Sequence, residues 1–163
     1  MAILPRHFLR VPSVNVSQTR ESEQAVLSGR KRLGVLLLAL GLVAPLGVAT
    51  ALRPDGRGFG THQQLGLPPC TFLVLFGRRC PSCGMTTSWA YLVRGQIAGA
   101  LAANTGGTLL GALTAVAAVW LLASGLRGRW LGWVPNTTLV TWLLVGVGAV
   151  TFVDWVIRLA RGG

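Results

Sequence analysis

Charge is scarce in this chain. Only 12% of its 163 residues are Asp, Glu, Lys or Arg, roughly half the share of an ordinary soluble domain. Acidic residues are scarcer still: Glu21, Glu23, Asp55 and Asp154 are all there are. No paired-carboxylate arrangement, serine triad or nucleotide-binding loop is visible, so the usual hydrolase and nucleotide-dependent chemistries find no foothold. Histidines number two and cysteines three. The chain is too short for more than one ordinary domain.

What fills the space is apolar. Leu33 to Leu52, Gly95 to Leu126 and Leu131 to Val153 contain no charged residue. Each reaches the roughly 20 residues that a helix needs to cross about 30 Å of hydrocarbon. A soluble core would have to bury three such helices on all sides, which a chain of this size cannot do. The expected fold is therefore an all-α membrane protein. Its three transmembrane helices, at about 33–52, 105–124 and 138–155, are accompanied by an interfacial amphipathic helix and a cysteine-containing loop.

The net charge of +11 would suggest nucleic acid in a soluble protein. Here Arg30, Lys31, Arg32, Arg53, Arg127 and Arg129 flank the apolar runs, as headgroup anchors and topology signals do. No basic surface interleaved with aromatics points to nucleic acid, and the lipid bilayer is the expected partner. The basic cluster just before the first run places the N-terminus in the cytoplasm and residues 53–104 on the opposite side of the membrane, in a multi-pass protein. Residues 1–29 are polar, without sustained period and without the apolar core of a signal peptide, and read as a flexible tail; residues 30–163 then form a single membrane domain. Pro45 lies inside the first span, where a kink is tolerated. Trp120, Trp130, Trp133 and Trp155 sit near span ends, as interfacial aromatics do.

The punctuation lies between the first two spans, in a cysteine loop and interfacial helix over 62–103. Thr71 to Phe76 is too short to cross and reads as a strand-like or interfacial piece. From Pro81 to about Ala103, apolar residues recur at three-to-four spacing, predicting one amphipathic interfacial helix. Pro81 suits a first helical position, which puts Cys80 at the N-cap, beside Arg78 and Arg79, where thiolate is favoured over thiol. In "CPSCG", Cys80 and Cys83 form a CxxC pair, with Cys70 ten residues upstream and His62 eight before that.

Three thiolates and an imidazole make a legitimate tetrahedral set, so Cys70, Cys80, Cys83 and His62 are candidate ligands for zinc or another transition metal. Two readings stand beside this one. A disulfide from Cys70 to Cys80 or Cys83 would staple the loop on an exported face, and Cys80 with Cys83 would serve as a redox pair. The odd number of cysteines favours a four-ligand site or a mobile thiol over a fully paired framework.

Gly95, Gly99, Ala103, Gly107 and Gly111 recur at four-residue intervals. Such a ridge lets helices approach closely, within the chain or, alternatively, in self-association or a larger membrane complex. Asp154 and Arg158 have the spacing of a helical ion pair and read as an interfacial, snorkelling pair. Asn104 and Gln96 are placed to hydrogen-bond back to the thiol loop.

Cys70, Phe72, Gly77, Cys80, Pro81, Cys83, Gly84, Thr86, Gly95 and Asn104 form a pattern, C…CPxCGxT followed by a hydrophobic helix, Gly and Asn. Over roughly Leu65 to Gly111 it resembles a bacterial membrane family, domain of unknown function 2752. Thr87 stands where many members have Arg, and Thr105 where they have Pro. The resemblance implies the same small multi-helix membrane layout and singles out the thiol loop, and it brings no activity with it. The expected function is a non-catalytic membrane component whose cysteines form a structural, metal-binding site. The alternatives are a membrane thiol–disulfide oxidoreductase using Cys80 and Cys83, and an accessory subunit of a larger complex.

Overall fold

A computed structural model describes residues 26–132 and 136–161. Most of the expected tail, including Glu21 and Glu23, and the expected belt residue Trp133 lie outside these residues. Among the described residues the chain is helical, in the order α1 (Gly29–Ala51), a 3₁₀ turn (Thr61–Leu65), α2 (Thr71–Phe76), α3 (Met85–Leu92), α4 (Ile97–Ala103), α5 (Thr105–Arg127) and α6 (Thr137–Ala160). α1, α5 and α6 are long and apolar enough to cross a membrane, and they coincide with the three charge-poor runs. α1 continues through Pro45.

The most extensive packing is α1 against α5. α1 buries only Ala39 and Ala49, so small residues set a close approach. At the far end Gly125 lies under Leu36, whose Cδ2 is 2.6 Å from where a Cβ would stand. Arg32 does not reach outward as a simple headgroup anchor. Its Nε donates to Gly125 O at 2.8 Å and its Nη2 to Leu126 O at 3.1 Å, giving Leu126 O a donor at the carboxyl end of α5 and adding a second to Gly125 O, which also accepts from Gly128 N at 3.2 Å. Arg94 does the same for α1, donating to Ala49 O (3.2 Å) and Thr50 O (2.9 Å). Leu27 N donates to Gly128 O at 2.9 Å, which ties the start of α1 to the end of α5.

The connection from α1 to α5 departs from the expected single amphipathic helix. It is a hairpin of two short helices, α3 and α4, broken at Arg94–Gly95–Gln96. Gly95 has φ +71°, a left-handed conformation that glycine adopts without steric cost and that ends the helical run. Gln96 is exposed. α3 is not spread on the surface: it buries Thr87, Ser88 and Ala90 and packs on α5 and α1. The expected strand-like piece is the helix α2. Its Val74, Leu75 and Phe76 are exposed, as suits a segment lying at a membrane interface.

The glycine ridge is used within the chain. Positions where a Cβ would stand on Gly99, Gly107 and Gly111 are met by Tyr91, Ser88 and the pair Trp89 and Leu92. Gly95 faces open space. Gly106 receives Thr151 of α6. No residue of α6 is fully buried, and most of its Leu and Val side chains are exposed. Trp120 and Trp130 stack at 5.2 Å between centroids where α5 ends.

Candidate metal centre

Two local devices place the three cysteines. Cys70 precedes α2 as its N-cap residue. Cys80 and Cys83 belong to a tight turn, with Cys83 N donating to Cys80 O at 3.1 Å and Met85 N to Ser82 O at 3.1 Å. The helix after the turn begins at Met85, not at Pro81, so the expected N-cap position of Cys80 is corrected. Gly84 explains the delay. At φ +91° it holds a left-handed conformation in which the chain cannot yet be α-helical. It also lies against the backbone of Gly58 and Ala103 with no room for a side chain.

The turn is fastened from two helices. Asn104, fully buried, donates from Nδ2 to Pro81 O (3.0 Å) and Cys83 O (3.1 Å), while its Oδ1 accepts from Gly107 N at 2.6 Å. One amide thus caps α5 and holds the thiol turn against it, as its expected bond to the loop implied. From α6, Trp155 Nε1 donates to Arg79 O at 2.8 Å, and Arg158 Nη1 donates to Cys83 O at 3.3 Å. Arg158 pairs with Asp154 at 2.9 Å, and Thr105 donates to that carboxylate at 3.3 Å. The expected snorkelling pair is turned inward, onto the site; only about a fifth of each side chain is exposed. Phe72 meets the edge of Trp155 at 6.4 Å, which braces α2 as well.

These constraints bring Sγ of Cys70, Cys80 and Cys83 within 4.8 Å of one another. None is in a disulfide. Sγ of Cys80 and Cys83 are 3.1 Å apart, and Cys80 N donates to Cys83 Sγ at 3.3 Å. Three thiolates bound to one zinc at about 2.3 Å would lie about 3.8 Å from each other in a tetrahedron. The triangle fits a single ion. His62, the fourth expected ligand, is not in that group. Its Nε2 lies 3.2 Å from Pro68 O. His62 does line the same cavity as the three cysteines.

The thiols are electrostatically unlike. The Leu73 amide at the start of α2 favours the thiolate of Cys70 and lowers its pKa, and the neighbouring Cys80 and Cys83 add to this against a partial burial penalty. Burial pushes Cys83 the other way, up to about 12, reinforced by its contact with Cys80. Beside the cavity, Arg57 and Arg79 flank the Phe59 ring at 5.2 and 4.3 Å. The Arg57 guanidinium also holds the Asp55 carboxyl below its ordinary value. Thr87 is fully buried with its Oγ1 2.8 Å from Thr61 Oγ1.

Fold and site define a helical protein with three helices able to cross a membrane and a three-thiol cluster at one end of them. Residues 70–121 match the model of a family described as a protein of unknown function (DUF2752), the family that the C…CPxCGxT signature resembles. The match takes in the thiol turn, α2 to α4 and most of α5; α1 and the α6 residues that clamp the turn fall outside it. No curated protein and no solved structure matches the chain significantly.

Proposed function

We propose that the chain is a small integral membrane protein that holds one zinc ion, or a comparable soft transition metal, on Cys70, Cys80 and Cys83, and that the ion staples α2 and the thiol turn onto the spanning helices. The observation that carries this reading is the convergence within 4.8 Å of three sulfurs, one at the start of α2 and two from the thiol turn. Thiolates select soft or borderline metals, and metal binding displaces the protons of its ligands. Cys83, whose pKa is raised by burial, must lose its proton to ligate, so binding should strengthen as pH rises. Lipid is the proposed environment of α1, α5 and α6, in a bacterial inner membrane with the N-terminus in the cytoplasm.

Metal analysis of the full chain, purified in detergent without chelator, tests this. One zinc per chain is expected, with loss of the metal from Cys70→Ser. No stoichiometric metal, together with three freely alkylated thiols, overturns it. The 3.1 Å approach of Cys80 and Cys83 supports a second reading, exchange with a partner disulfide. There the Cys80–Cys83 bond forms, the partner's S–S bond breaks, and two electrons and two protons pass to the partner's sulfurs. A native Cys80–Cys83 disulfide in place of metal would favour it.

A further inference from the structure

We infer that the metal centre keeps one coordination position for an exchangeable low-molecular-weight thiol, bound in the cavity beside Cys70, Cys80 and Cys83; this rests on the metal reading above. Structural zinc sites close with four protein ligands, whereas three protein ligands and a vacant fourth position mark sites that bind a ligand from outside. Among the described residues, the group of His, Cys, Asp and Glu atoms close enough to share an ion has three members. His62, the nearest imidazole by sequence, is held on Pro68 O. A cavity of about 160 Å³ adjoins all three cysteines and is lined by Phe59, Leu73, Gln63 and Thr86 as well as His62.

The chemistry of the donors selects the ligand. Three thiolates more than neutralise a divalent ion, leaving a weak Lewis acid that prefers a soft donor to water. The cavity has apolar wall for a short carbon chain in Phe59 and Leu73, and polar groups in Gln63 and Thr86 for its other end. On binding, the thiol gives up its proton and the metal–sulfur bond forms, with no change of oxidation state. His62 stands at the wall of the same cavity.

Cobalt(II) loaded into the full chain, kept reduced with a phosphine, reports the number of thiolates through its sulfur-to-metal charge-transfer bands. Titration with 2-mercaptoethanol should raise their intensity by about one third, from three Co–S bonds to four, and saturate. His62→Ala should respond in the same way. Unchanged bands with cobalt retained, or release of cobalt by the thiol, overturn the open position, as does a response confined to His62→Ala. Absence of three-thiolate bands before any thiol is added overturns the metal reading instead.

Discussion

Replacing Asn104 separates two jobs that a single side chain performs. Asn104→Ala removes two donations to the thiol turn and the cap on Gly107 N. Each lost bond costs about 1 kcal/mol, and a buried acceptor left unpaired adds about 1–3. Cys83 O keeps Arg158 as a partner, so the net loss on the turn is one bond and one unpaired acceptor, both at Pro81 O. With about 1 kcal/mol for the cap, the total is about 3–5 kcal/mol. Asn104→Asp is the sharper probe. Aspartate caps a helix as well as asparagine does, but it places acceptor oxygens where Nδ2 faced two carbonyls. The tether alone is then lost, about 2–4 kcal/mol. If that falls on the metal-bound state, affinity drops between about 30-fold and 1000-fold, at 1.4 kcal/mol per tenfold. Zinc affinity is read by competition with a chromophoric chelator. The integrity of α5 is read from the fluorescence of Trp89, whose Nε1 donates to Gly107 O. Asn104→Asp binding zinc within about threefold of the parent would refute the tether.

Gly84→Ala should destabilise more than Gly77→Ala. Both glycines have positive φ, but only Gly84 is walled in by backbone, so strain of about 1–2 kcal/mol is joined there by about 1–3 of overpacking; equal shifts in thermal unfolding would refute this. In metal-free protein, Cys70 should alkylate first and Cys83 last as pH is raised, followed by peptide mass spectrometry; Cys83 reacting first would contradict the burial argument. Linkage gives the matching stability profile. Cys83 ionises less readily folded than unfolded, so its contribution is intact below the ordinary thiol value and is lost as pH climbs from 9.0 towards about 12. Cys70 works oppositely, stabilising above the ordinary value and losing that contribution as pH falls through its lowered one.

Much of this was legible in the residues. Three charge-free runs locate α1, α5 and α6 because a bilayer leaves no other use for them. The clustering of Cys70, Cys80 and Cys83 in sequence survives as clustering in space, because CPSC is a local turn and only Cys70 must be carried in. The helix start at Met85 and the break at Gly95 were hidden. A glycine is compatible with helix or left-handed turn, and the choice depends on neighbours such as Gly58 and Ala103 that periodicity does not reveal. The inward aim of Arg32, Arg94 and Arg158 was hidden for a similar reason. Charge beside an apolar run reads as lipid contact, whereas the carboxyl ends of α1, α4 and α5 also need donors. The Asp154–Arg158 spacing was a usable signal for the pair, but not for the carbonyls of Cys83 and Ala103 that Arg158 reaches.

The join between Leu27 and Gly128 has a bearing on where the sulfurs do their work. It puts the front of α1 and the turn after α5 at one end of the α1–α5 pair, while the sulfurs cluster where α5 begins. With these helices threaded through a bilayer, the two ends look into different aqueous compartments. A reporter fused ahead of Val26 therefore reads the compartment of the sulfurs by opposition. One such measurement tells whether glutathione or an oxidising milieu surrounds them.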